Sequence, residues 1–220
     1  MSVYIFKQPK DYILTTPAAT TPISVAEVKS YARISNTSQD TLIAILINAA
    51  TNYCETFIKR DLINKTYTCY LDKFPASNSN TLLLSDGFSY SYKDIGIQIR
   101  KSKLQSISSI KYYLDDVLTT WASTNYYITD KSAYSSIFLV DDKTYPTNID
   151  EKKQSVEIEF VAGYGAASTD VPDQIRLGLM SHVTYMLENR GDCGGSSESD
   201  LPLAIRSLYN QFRITNIGVC

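Results

Sequence analysis

A single histidine, His182, bounds the acid–base chemistry open to this 220-residue chain. A metal site would have to be built from carboxylates and thiols, and a catalytic triad would have to take His182 as its base. Leu179, Val183 and Met186 share its helical face. A general base works from an open cleft beside a nucleophile, so this setting favours a histidine satisfied in a core or an interface. Cys193, two residues past Gly191, is the nucleophile that could be paired with it, but its Gly/Ser/acid surroundings read more simply as a flexible connection. Gly163-Tyr164-Gly165 has the start of a dinucleotide loop; the third position is Ser168, the following helix opens only at Pro172, and no parallel βαβ unit surrounds it. A tight turn explains the glycines better. Asp115-Asp116, Asp141-Asp142 and Asp150-Glu151 lack calcium-loop spacing and read as solvated turn residues. Cys54, Cys69, Cys193 and Cys220 show no C-x-x-C spacing, which predicts free thiols in a reducing compartment. The expectation is no catalytic residue, no cofactor and no metal.

The elements that hold these residues fall into three blocks. Residues 1–21 end in a Thr/Ala/Pro run and are expected as an extended N-terminal arm. Residues 22–64 hold two helices. Ser24 and Glu27 form an S-x-x-E capping box for the first, and Thr37 and Asp40 repeat the spacing before the second. The second helix carries Leu42, Ile45, Leu46, Ala49, Ala50, Tyr53 and Phe57 as its core stripe, widened by Ile43 and Ile47, so contact from two sides is expected.

From about residue 65 to 162 the period changes to two. Thr66–Phe74, Leu82–Leu84, Ile95–Ile99, Ile107–Leu114, Tyr126–Thr129, Ile137–Val140 and Val156–Val161 read as short strands bounded by turn residues, which makes an antiparallel β unit. Helical period returns at Val171-Pro172-Asp173, with Ile175, Leu179, His182, Val183, Met186 and Leu187 facing inward as far as the stop at Gly191. Pro202 opens a last helix with Leu203, Ile205, Leu208, Tyr209 and Phe212 apolar. The predicted class is α+β: a four-helix bundle-like body over 22–64 and 163–213, an antiparallel β unit inserted between helix 2 and helix 3, and a C-terminal arm over 214–220.

A net charge of −2 supplies no basic field, which excludes tight sequence-independent duplex binding. No run approaches about 20 uninterrupted apolar residues, so no membrane is expected, and a place in the cytoplasm follows. Tyr90, Tyr92, Tyr112, Tyr113, Tyr126 and Tyr127 cluster in and around strands, where ordinary β propensity and a protein interface both suit them.

Four stretches together resemble the head-tail connector (head completion, or adaptor) proteins of long-tailed phages and gene transfer agents. They are Pro22 to Lys29 with Arg33; Leu42-Ile43 through Ala49-Ala50, Tyr53 and Glu55 to Ile63; Val156 to Gly165; and Val171-Pro172 through Arg190 with Leu201 to Ile205. Lys59 stands where the family often has glycine. The resemblance implies a structural virion protein, assembled in the host cytoplasm and placed in the head-tail neck. It implies a homo-oligomeric ring, of twelve subunits to match a portal, which binds below the portal protein, meets a tail or stopper protein, and lets DNA through its lumen without sequence-specific contact. It carries over no catalytic residue. Tyr112, Tyr113, Leu179, Met186, Ile214, Ile217 and Val219 are the expected interface residues. A small hydrolase using His182 and Cys193, or a carbohydrate-binding or fibre-associated β module, are the competing readings.

Overall fold

In the computed structural model, described at residues 5–7, 9, 11–75, 81–83, 89–91, 95–101, 103–129, 135–189 and 201–214, the chain is α+β and divides into two compact units. One is built from residues 1–17 and 65–162, the other from 18–64 and 163–220.

The first unit holds the strands: β1 Ile5–Lys7, β2 Asp11–Thr16, β3 Lys65–Leu71, β4 Thr81–Leu83, β5 Ser89–Ser91, β6 Ile95–Ile99, β7 Leu104–Leu114, β8 Val117–Trp121, β9 Tyr126–Thr129, β10 Ser135–Leu139 and β11 Val156–Ala162. A five-stranded sheet runs β2-β3-β11-β7-β8, antiparallel throughout; a four-stranded sheet runs β1-β6-β10-β9, with β1 parallel to β6; β4 and β5 form a separate ribbon. Alternation in β3 and β11 turns Tyr67, Cys69 and Leu71 and Val156, Ile158 and Phe160 to one side. There they meet Ile97, Ile99, Ile137 and Leu139 from the other sheet in a single core. Phe74 closes that core, stacked on Tyr145 at 5.4 Å and tilted on Trp121 at 5.2 Å between ring centres.

Four strands, β1, β2, β5 and β8, are additional to those expected. The N-terminal segment, expected as an extended arm, is extended and paired: Asp11–Leu14 lie against Tyr70–Tyr67 of β3. Strand β8 was not anticipated, because Val117–Trp121 does not alternate. It forms because Asp115 and Asp116 both adopt left-handed backbone (φ 51° and 61°), the two-residue turn whose twist matches paired strands.

The second unit holds α1 Val25–Ala32, α2 Asp40–Ile58, α3 Asp173–Glu188 and α4 Leu203–Asn210. The Ser24 box is formed: the Ser24 hydroxyl accepts from the Glu27 N–H (3.2 Å) and the Glu27 carboxylate accepts from the Ser24 N–H (2.7 Å). The second box is not. Helix α2 starts after Gln39 with no side-chain cap, the Ser38 N–H donates to Asn36 Oδ1, and Asp40 is held instead by Lys29 at 2.8 Å. Helix α2 is long and apolar enough to cross a membrane by length and composition. Its core face is turned relative to the expected stripe. Ile43, Ile47, Ala50, Cys54 and Ile58 are buried against Ile175, Leu179, Val183, Ile205 and Tyr209, whereas Ile45 and Tyr53 are exposed. The apolar run is wider than one face, and periodicity alone cannot choose which part of it packs.

Candidate interaction surfaces

His182 projects from the third turn of α3 into the apolar space between α2 and α4 and is 6% exposed. The Tyr53 ring meets it edge-on at 5.2 Å, and the Tyr209 hydroxyl lies 3.4 Å from Nδ1. Burial pulls its pKa down to about 4, so the ring is neutral at pH 7. Among the described residues, the group at hydrogen-bonding distance from it is the phenol of Tyr209, whose own pKa burial pushes further up, and Cys193 lies outside those residues. Burial likewise pushes the Cys54 thiol up, and the Cys69 thiol up to about 12, so neither is a ready thiolate.

Two of the acid pairs are joined through the backbone. The Asp150 carboxylate accepts from the N–H groups of Asp115 and Asp116, both at 2.9 Å, and ties the β7–β8 turn to the loop before β11. Lys152 bridges Asp116 (3.1 Å) and Asp150 (3.6 Å) while sitting 3.7 Å over the Tyr113 ring. No cluster of three or more His, Cys, Asp or Glu able to hold a metal occurs among the described residues.

The expected interface residues scatter. Leu179 is buried in the core of its own unit and Met186 is half-buried beside it. Tyr112 lies half-buried edge-on to Phe74, and Tyr113 half-buried under Lys152. Ile214 is 3% exposed, and its N–H donates to the Ile58 carbonyl at 3.0 Å, so the chain folds back on its own helices at that point. Ile217 and Val219 lie outside the described residues, as do Tyr92 and Cys220. For Leu179 and Ile214 the burial is within the chain itself.

What the structure exposes instead is Ile45 (60%) and Leu203 (78%) on helices, and Ile13, Leu14, Val117, Leu118, Tyr127 and Ile128 on strands β2, β8 and β9. These are three of the four outer strands of the two main sheets. Their signature in the sequence is an absence of charge: Tyr12 to Ala26, Thr41 to Cys54 and Val117 to Thr129 contain no Asp, Glu, Lys or Arg, in a chain that is 20% charged. A solvated face normally carries charge, so these runs mark surface suited to another protein.

The helical unit also fixes its own chain exits. Asn64 N–H donates to Gly165 O (2.9 Å) and Tyr164 N–H to Leu62 O (3.3 Å), beside a bridge between Ile63 and Gly165. Gly163 holds φ +147°, and a Cβ there would lie 2.7 Å from the Asn64 nitrogen, so only glycine fits.

The model of the phage gp6-like head-tail connector protein family matches residues 22–131. Among solved structures, the chain is similar to a component of the neck of an empty gene transfer agent particle computed with C6 symmetry (TM-score 0.71, 15% identity, covering 96% of this chain and 98% of that one). It is similar to one from the virion of a native gene transfer agent particle (TM-score 0.69, 16% identity, 95% and 98% covered). The neck of the native particle computed with C12 symmetry gives a TM-score of 0.66 at 16% identity, with 96% and 98% covered. No curated protein sequence matches significantly. At such identities the likeness is one of fold, and it extends over nearly the whole chain.

Proposed function

Since this chain belongs to the family of phage gp6-like head-tail connector proteins, we propose that it is a structural subunit of the neck that joins a phage-type head to its tail. The four helices are the bundle-like body of a closed ring, twelvefold to match a portal. The strand unit, entered and left between α2 and α3, is an accessory platform facing outward or toward the tail. The portal protein binds on one side and a tail or stopper protein on the other, and DNA passes through the lumen. A net charge of −2 suits that passage, because a strongly basic wall would hold the phosphates it must release.

The observation that carries this reading is the family match, which runs from the first residues of the helical unit into the strand unit. The buried, neutral His182 supports a role without catalysis. Deleting the gene tests the function: DNA-filled heads and complete tails should accumulate unjoined, and supplying the chain in trans should restore tailed particles. Normal tailed particles in its absence would refute the reading.

A further inference from the structure

We infer that neighbouring copies of this chain meet edge to edge through their strand units, with the β2 edge of one copy on the β8 edge of the next. This rests on the ring reading above and deepens it by naming the contact.

The argument starts from strand order. Among the described residues, the free edges of the five-stranded sheet are β2 and β8, and those of the four-stranded sheet are β1 and β9. β1 and β2 are consecutive in the chain, and so are β8 and β9, which are joined by a single turn at Ser123–Asn125 and by the Trp121 and Tyr126 rings at 5.3 Å. The two sheets share one core, so the strand unit has two flanks, β1 with β2 and β8 with β9, on opposite ends of both sheets.

Edge strands offer unpaired N–H and C=O groups, and monomeric proteins defend them with lysine, proline or inward charge. Neither β2 beyond Asp11 nor β8 contains any of these; β2 has one bulge near Thr15, and Pro17 only follows it. Both expose paired aliphatic residues, Ile13 and Leu14 on one and Val117 and Leu118 on the other. An uncharged edge with open main-chain groups calls for an uncharged strand, and the opposite edge of the same sheet supplies one.

Direction selects the type of contact. Four antiparallel steps separate β2 from β8, so the two run the same way; one parallel and two antiparallel steps separate β1 from β9, so those also run the same way. Setting one copy's first flank on the next copy's second flank therefore pairs both sheets in the same parallel sense. That is a head-to-tail contact between different surfaces, which closes into rings, whereas joining like edges would stop at a dimer.

The test is cysteine trapping in assembled particles, with Cys193 and Cys220 changed to Ser and the buried Cys54 and Cys69 retained. Leu14→Cys with Leu118→Cys in one chain should give a ladder of covalent multimers on oxidation, and either single variant should give none. Dimers from Leu14→Cys or Leu118→Cys alone would overturn the head-to-tail contact. No ladder from the double variant, in necks shown by mass to hold several copies, would overturn the proposed edge while leaving the ring intact. Necks holding a single copy would overturn the ring itself. Leu118→Lys is the second arm: it should abolish multimer formation with an unchanged monomer melting temperature, and normal multimers would count against the contact.

Discussion

His182 gives the helical unit a calculable response to acid. Its pKa in the folded chain is about 4, against 6.5 for an unperturbed imidazole, because burial between Tyr53 and Tyr209 disfavours the cation. The sign follows directly. Below pH 6.5 the unfolded chain takes up a proton that the folded chain refuses until pH 4, so stability is lost as pH falls through that window, with a slope of about 1.4 kcal/mol per pH unit. Between pH 7 and pH 4.5 this single group should remove about 2 kcal/mol. His182→Gln cannot titrate. Urea unfolding of both proteins at pH 7.0 and 4.5, followed by far-ultraviolet circular dichroism, isolates the effect, because the carboxylates common to both cancel. The wild-type chain should lose about 2 kcal/mol more than the variant. Equal losses in the two proteins would show that protonated His182 is tolerated where it stands, and the account of a tightly covered ring would fail.

Three further outcomes are expected from the same packing. Gly178→Ala adds a methyl 2.7 Å from Cε1 of the buried Tyr209, so overpacking should outweigh the gain in helix propensity and lower stability by about 1–2 kcal/mol, seen as a melting temperature reduced by a few degrees; a rise would refute it. Lys59→Gly relieves the left-handed backbone at the end of α2 and should stabilise by about 0.5–1 kcal/mol in denaturant titration, with no gain counting against strain there. Ser24→Ala removes the side-chain half of the α1 cap and should cost about 1 kcal/mol, while Glu27 keeps its ion pair with Arg176.

Legibility followed the physics of each signal. The start of α1 was readable because a capping box is a local pattern of two residues. The α3 face was readable because Leu179, His182, Val183 and Leu187 form one narrow apolar stripe with polar residues opposite. Helix α2 defeated the same logic: apolar residues nearly surround it between Thr41 and Cys54, and tertiary contact decided which of them face inward. Strand β2 was hidden because an edge strand needs no buried alternation, and β8 because its cause lies in the backbone of two aspartates before it. Of the residues expected at an interface, Leu179 and Ile214 are buried in their own unit, whereas the exposed edges are marked in the sequence by missing charge. Ile214 misleads because a tail with spaced apolar residues looks unpartnered until its N–H is seen on Ile58.

The paired chain exits at Leu62–Asn64 and Gly163–Gly165 bear on how such a protein can change over evolutionary time. With the two ends laid side by side, the helical unit is nearly indifferent to how much polypeptide lies between them, since the cost of closing the gap grows only with the logarithm of its length, about 0.6 kcal/mol per doubling. Recombination could therefore exchange everything from residue 65 to 162 as a cassette and leave the helices folded. The N-terminal strand sets the condition. Because β2 pairs, among the described residues, with β3, an exchanged cassette must bring its own first strand or accept this one, and a chain stripped of residues 66–161 alone would leave Asp11–Thr16 without the strand that holds it. Inheritance of the strand unit is thus tied to two separate stretches of the gene, and tailoring a neck to a new tail by recombination requires both to move together.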